Sequence, residues 1–403
     1  MAFAPSYSLE TLAIHHDAGL TDSAEVAPYI STSTTFRHPS LEQIAAANPP
    51  LEVTDPYSPE RHIYSRETQP TVTRVEHVLS ALLGGPTIVY PSGIAAFFAI
   101  LLHVRPDVVA ITGGYFGCHA ALDIYKRTRG ADQVSIIELD DEYPTDKKVM
   151  AWVESPVNPQ GTNRSFAAYA KKVHAVGGTL GVDATLGPPP LQDPFKWGAD
   201  IVMHSCTKYL GGHSDLLAGS VTVKNHEEWH ALWEDRTHTG SNLGSLDSWL
   251  LLRSSRSVIL RVERQAKTGT AIAQFLAALK KDDPVLGAVI KEVTHATLQD
   301  SADELVGEGK QMSTGPACFS FVTSKTEYAT HLPHQLKLFI PATSLGGVES
   351  LIEQRVISDS KADPCLLRLS IGLEDVEDLK EDLLQGFRAV LQMEKETTAQ
   401  HGA

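Results

Sequence analysis

The run HSCTKYLGGHSD, residues 204–215, continues the apolar stretch ADIVM and sets one lysine, Lys208, among Ser205, Thr207, Gly211 and Gly212. Lysine is mostly a surface residue, and burying its ammonium is costly unless a partner neutralises it or chemistry uses it. The apolar stretch reads as a buried strand, so Lys208 stands at a strand's end. Around that strand, short β-prone runs alternate with helical stretches from about residue 71 to 225. They are PTIVYP then SGIAAFFAILLHV, DVVAITG then HAALDIYKRT, KVMAWVES then FAAYAKKVHAVG, followed by GTLGVDA, ADIVMHS and AGSVTVK. This rhythm predicts an α/β unit with a mostly parallel sheet and helices on its faces. Ligands gather at the carboxyl ends of such strands.

The chain outside this unit divides into two further parts. Residues 1–70 are rich in Pro, Ser and Thr with little periodicity, as in PPLEVTDPYSPERHIYSRETQPT, and read as an extended arm reaching onto a neighbouring subunit. Residues 71–250 are expected to form one ligand-binding domain around this α/β unit. From residue 251 to 403, strand-like ACFSFVTS and LLRLSIGL alternate with helical HLPHQLKLF and EDVEDLKEDLLQGFRAVLQME, which predicts a smaller α+β domain.

A net charge of −15 argues against a nucleic-acid partner and for small-molecule chemistry. The N-terminus has no basic region and carries Glu10 where a signal peptide would be apolar, and the longest apolar run, IAAFFAILL, is about half a membrane span. A cytoplasmic protein without membrane contact is expected. Cys118, Cys206, Cys318 and Cys365 lie far apart with no CxxC pair, which suits reduced thiols rather than disulfides or a metal site.

The strand ends carry, in order, Ser92-Gly93-Ile94, Tyr115, Glu154 with Asn158, Asp183, and Lys208. PSGIAA is a strand, a glycine turn and a helix start, an arrangement that holds a phosphate or simply makes a turn. Asp183 ends an apolar strand, where an ionised carboxylate needs a cation such as a protonated pyridine nitrogen, or else caps the next turn. Tyr115 is placed to stack on a ring or to pack, and Asn158 to donate to a phenolate oxygen or to make an Asx-type turn. A desolvated lysine can form a Schiff base with an aldehyde. Pyridoxal phosphate is the cofactor that asks for a lysine imine, an acid opposite the ring nitrogen and an anion cradle together.

On STTF (33–36), YSR (64–66) before TQPTVTRVE, SGIAA (92–96), ESPVNP (154–159), VDATLGPP (182–189), HSCTKYLGGHSD, SLGGVESL (344–351) and RLSIGLED (368–375), the chain resembles the Cys/Met-metabolism, or trans-sulfuration, family of pyridoxal-phosphate enzymes. That family includes cystathionine γ-synthase and γ-lyase. The resemblance runs nearly end to end and implies the aspartate-aminotransferase-like fold type I. It implies a cofactor bound as an imine on Lys208, with Gly93, Ile94, Ser92, Ser205 and Thr207 at its phosphate and Thr185 beside Asp183. Tyr115 would stack on the ring and assist proton transfer, Asp183 would hold the pyridinium, and Glu154 and Asn158 would shape the oxygen side. Tyr64 and Arg66 would reach the phosphate of the neighbouring subunit in a homodimer or homotetramer. Arg368, helped by Ser344, would take the substrate α-carboxylate through a bidentate fork.

The implied reaction expels a γ-leaving group from an amino acid and leaves a vinylglycine-type intermediate, which a nucleophile completes as γ-substitution or water as elimination. Three departures from the family pattern bear on the choice. Thr343 replaces an acid before the SLGG serine, Ile63 an acid before the YSR tyrosine, and Ala120 an arginine five residues after Tyr115. Without these handles the distal head group of cystathionine or cysteine would be left unpaired. IEQRVISDSKADPCL is also shorter by roughly a dozen residues than the family's loop, so an open or reshaped mouth is expected. Similar departures occur in fungal relatives of secondary metabolism that join a β-keto acid carbon to the activated amino acid. The leading expectation is γ-substitution on an O-activated L-homoserine, O-acetyl-L-homoserine first, with a nucleophile lacking an amino-acid head. The alternative is a C–S lyase. A cofactor-binding protein without turnover is opposed by the intact set of Lys208, Asp183, Tyr115, Arg66 and Arg368, and an aminotransferase by SLGGVESL and YSR. His119 is a candidate contact to the second substrate; for His119 and His213 alike the other reading is structural hydrogen bonding.

Overall fold

The sequence rhythm becomes two sheets in a computed structural model, which describes residues 7–20, 24–46 and 62–401. The larger is built from β1 (Thr87–Tyr90), β2 (Val108–Ala110), β3 (Ser135–Ile137), β4 (Val149–Glu154), β5 (Thr179–Asp183), β6 (Ile201–His204) and β7 (Gly219–Val223). Their order is β1-β7-β6-β5-β4-β2-β3, and β7 alone runs antiparallel to its neighbours. β1, β2 and β4 to β7 coincide with the apolar runs read from the sequence. Only β3 was not foreseen, because it is a short, half-exposed edge strand with no apolar run to mark it.

Fully buried strands explain why those runs are continuous rather than alternating: β1, β2, β4, β6 and β7 are buried at every residue. Helices on both faces close the layers. Helix Gly93–Val104 packs Phe97 and Ile100 into one cluster with Trp152 and Met203, and helix Phe166–His174 packs Phe166 and Val173 into another with Val153 and Val182. The register pairs Glu154 with Asp183 and Asp183 with Met203, which sets two carboxylates side by side at the sheet's carboxyl edge.

The second sheet joins β8 (Ile290–Thr294), β9 (Cys318–Thr323), β10 (Ile340–Pro341), β11 (Leu351–Gln354) and β12 (Leu366–Ser370) in the order β10-β11-β12-β9-β8. The sequence marked β9 and β12. It marked a helix at HLPHQLKLF, whereas the helix spans Thr326–Gln335 and stops before Leu336, after Pro333 in its last turn. The division expected at residue 250 runs through packed core: Val75, Tyr209 and Leu252 share one cluster with Ile272, Phe321 and Leu383.

The arm is docked at its start. Helix Leu9–His15 buries Ala13, and the Asp17 carboxylate lies between Arg74 (2.8 Å) and Arg256 (3.1 Å). The start of the arm is thus helical and pinned to its own chain by a buried carboxylate. Residues 47–61 of the expected arm lie outside the described residues. Among the described residues no helix is long and apolar enough to cross a membrane, and Cys118, Cys206, Cys318 and Cys365 are free.

Candidate active site

After β6 the chain folds back on itself. The Gly211 and Gly212 amides donate to the Cys206 and Lys208 carbonyls at 2.7 and 2.6 Å, and the Thr207 hydroxyl accepts from the Ala218 amide at 3.0 Å. These bonds hold Lys208 over the sheet edge. Its Nζ donates to Ser344 Oγ at 2.8 Å. Burial, and then the charge of Arg368, lower the ammonium from 10.5 to about 8. The SLGG segment can approach this closely because Gly346 has φ +79°, and a Cβ there would lie 2.8 Å from the Tyr209 amide nitrogen.

Ser92 caps helix Gly93–Val104 by accepting from the Ala95 amide at 3.0 Å. The first helical N–H groups have no acceptor within the helix. A Cβ on Gly93 would sit 2.9 Å from Ser205 Cβ, so only glycine lets this helix start press against the end of β6. The Ser205 amide in turn donates to Thr185 Oγ1 at 2.8 Å. Amides, hydroxyls and a helix start thus converge on one anion-sized corner.

Glu154 and Asp183 are both buried and both pushed above their ordinary values. Burial is the main cause for each, and Asp183 raises Glu154 further. Glu154 is tied down by the Tyr115 and Asn158 amides at 2.7 and 2.6 Å. Among the described residues Asp183 accepts from the Thr185 amide (2.9 Å) and hydroxyl. Two adjacent buried carboxylates with so little compensation fit a cationic ring nitrogen. Tyr115, at the start of helix Phe116–Arg129, keeps its ring partly exposed on the same cavity.

On the opposite wall, β12 places Arg368 across from Glu353 of β11. Arg368 donates to the Ser344 carbonyl (2.7 Å), to Asn158 Oδ1 (3.2 Å) and to Glu353 Oε2 (2.6 Å). The same Glu353 oxygen accepts from Arg355 at 2.9 Å, and its other oxygen from the Ser358 hydroxyl. All these groups, with Ile94 and Thr343, line one cavity of about 340 Å³, whose mouth carries the exposed apolar side chains Phe116 and Leu217. The buried carboxylate pair, the lysine with a lowered ammonium and the amide-lined corner fit pyridoxal phosphate, and no cluster suited to a metal ion occurs among the described residues.

Three residues expected at the site lie outside this chain's cavity. Arg66 donates to the Thr237 carbonyl at 3.0 Å beneath the exposed Tyr64 ring, and His119 folds back onto the Gly113 carbonyl at 2.8 Å. His213 likewise bonds the Gly211 carbonyl at 2.7 Å, a structural role. Ala120 and Ile63 are also away from the cavity, so of the three departures only Thr343 touches it. Glu353, Arg355 and Ser358 were missed. The signal was present in IEQRVIS, directly after SLGGVESL, where only an open or reshaped mouth was expected. Glu353, Arg355 and Ser358 of this segment line the cavity.

Comparison with known proteins agrees with this geometry. The model of the Cys/Met metabolism PLP-dependent enzyme family matches residues 10–388. Cystathionine gamma-synthase of Escherichia coli is 32% identical over 86% of this chain and 95% of its own length. Cystathionine gamma-lyase of Dictyostelium discoideum is 30% identical over 95% of this chain and 98% of its own. The crystal structure of cystathionine gamma-lyase from yeast superposes with a TM-score of 0.81 at 28% identity, covering 97% of this chain and all of that one. The fold is therefore fold type I, the cofactor is pyridoxal 5'-phosphate, and the chain belongs to the Cys/Met-metabolism family of pyridoxal-phosphate-dependent enzymes.

Proposed function

We propose that the enzyme catalyses γ-substitution on an O-activated L-homoserine, O-acetyl-L-homoserine first, with a nucleophile that lacks an amino-acid head group and is joined through carbon, as in the fungal secondary-metabolism branch. When bound, pyridoxal phosphate supplies an aldehyde that captures the amino acid and a ring that accepts electron density from Cα. The chain's residues do the rest. Lys208 would hold the cofactor at rest and, as a free amine, would carry protons at Cα and Cβ; in the cofactor-free chain burial and Arg368 lower its ammonium to about 8. Asp183 would hold the ring nitrogen protonated, Tyr115 would lie against the ring, and Ser92, Gly93, Ile94, Ser205 and Thr207 would hold the phosphate. Arg368 and Ser344 orient the α-carboxylate so that the Cγ–O bond faces the cavity mouth. Tyr64 and Arg66, free of their own chain's cavity, complete the site of a partner in a homodimer or homotetramer of the cytoplasm. The reaction balances: acetate leaves with the C–O bonding pair, the nucleophile's carbon bonds Cγ, and that carbon's proton goes to solvent.

The observation that carries this reading is the charge at the far end of the cavity. Thr343 offers no carboxylate, and Glu353 is already shared by Arg355, Arg368 and Ser358. A second amino acid would have to bury its ammonium against two guanidinium groups. The test is to incubate the enzyme with O-acetyl-L-homoserine alone and then with acetoacetate or sulfide, following products by mass spectrometry. A new amino acid carrying the nucleophile at Cγ, absent with Lys208→Ala, is expected. Release of 2-oxobutyrate and ammonia at a rate indifferent to any nucleophile would make the enzyme a lyase instead.

A further inference from the structure

We propose that Arg355 is the anchoring site for a carboxylate on the second substrate, so that the nucleophile is a small anionic β-oxo acid rather than a neutral ketone. This names the substrate class of the γ-substitution site and rests on that reading.

The position follows from the chain's path. β11 ends at Gln354, and the turn Arg355–Ile357 begins at once, so the side chain of its first residue is delivered to the cavity wall beside Glu353. Arg355 is only 6% exposed. A guanidinium that deeply enclosed ordinarily has its five N–H donors matched. Here one terminal nitrogen reaches Glu353 at 2.9 Å, while Nε is buried with no partner among the described residues.

Neutralising Glu353 does not explain Arg355. That carboxylate already has Arg368 on Oε2 at 2.6 Å and the Ser358 hydroxyl on Oε1. Two guanidinium groups converge on one carboxylate oxygen, in the wall of the cavity that also holds Lys208. Both guanidinium groups line the same cavity as Tyr115 and Lys208. A carboxylate received there would meet a guanidinium whose only acceptor among the described residues is Glu353 and whose Nε has none.

The arrangement also orders the two substrates. Arg368 is bonded to Ser344 and Asn158, next to Lys208, and is the fork for the amino acid's α-carboxylate. Arg355 lies beyond Glu353 on the same wall. A β-oxo acid held there presents the carbon between its carbonyl groups toward Cγ; after acetate has left with its electron pair, that carbon gives up a proton and bonds Cγ. Arg355 remains protonated throughout and only positions the carboxylate.

The test uses the holoenzyme with Arg355→Met and Arg355→Lys. KM is measured for acetoacetate and for its neutral ethyl ester at saturating O-acetyl-L-homoserine, and the affinity of the resting enzyme for acetoacetate by calorimetry. With Arg355→Met, KM and Kd for acetoacetate should rise at least about tenfold, the loss of a charge-assisted hydrogen bond. The values for the ester and for O-acetyl-L-homoserine should hold within about twofold. Arg355→Lys should fall between, and carries the comparison if Arg355→Met does not hold its cofactor. Equal weakening of acid and ester, or of neither, overturns the proposal. Should the wild type join no carbon nucleophile, the γ-substitution reading fails on its own, and the calorimetric difference for acetoacetate still decides for or against Arg355 as an anion site.

Discussion

Replacing Lys208 by methionine should stabilise the cofactor-free enzyme at neutral pH while abolishing turnover. The ammonium is enclosed, and burial with the nearby charge of Arg368 lowers it from 10.5 to about 8. That displacement corresponds to roughly 3 kcal/mol against the charged form. Between pH 8 and 10.5 the unfolded chain binds more protons at this residue than the folded chain, so wild-type stability climbs with pH through that window. Below about pH 8 the whole penalty is present. Methionine has nothing to ionise but forfeits the hydrogen bond to Ser344 Oγ, worth about 1 kcal/mol. A net gain of about 2 kcal/mol at pH 7 is expected, vanishing or reversing near pH 10.5. Urea denaturation of both proteins, freed of cofactor and at equal protomer concentration, measures it. A variant no more stable than wild type at pH 7, or a gain that persists unchanged at pH 10.5, refutes the buried charge as the origin.

Asp17→Ala should cost about 3–5 kcal/mol in the same assay, because it leaves Arg74 and Arg256 without the carboxylate they share. It should also release helix Leu9–His15 to proteolysis. Gly93→Val should weaken cofactor retention at least about tenfold, since its Cβ meets Ser205 and displaces the helix-start amides; equilibrium dialysis against pyridoxal phosphate reads this. Arg66→Ala and Lys208→Ala should each be inactive alone. Mixed and reassociated, they should recover about a quarter of wild-type activity, as expected for one intact site in half of the randomly paired dimers. No recovery would place Arg66 in its own chain's site.

The large sheet was legible because its strands are buried on both faces, and continuous apolar runs such as VVAI and VMAWV announce such strands without alternation. β3 was not, since SII is short and half exposed, and β8, β10 and β11 carry mixed or very short patterns such as IKEVT and LIEQ. Such strands exist because neighbours pair with them, a tertiary cause that a local pattern does not display. The docked start of the arm was hidden for a related reason. Its Pro, Ser and Thr content conceals Ala13 and Asp17, whose burial depends on Arg74 and Arg256, far along the chain.

The floor of the cavity was legible because its groups lie at or just after the ends of β1, β2, β4, β5 and β6, and strand ends can be read from apolar runs. The wall for the second substrate was not, and the reason is informative. Counting absent handles at Thr343, Ile63 and Ala120 treated the distal pocket as a list of family positions, two of which lie outside this chain's cavity. The connection after β11 brings Arg355 and Ser358 onto Glu353, so this segment sets a cation in the cavity wall. Specificity of that kind rests on net charge in an enclosed space, and one carboxylate between two guanidinium groups selects for an incoming anion more strongly than a missing acid selects against an ammonium.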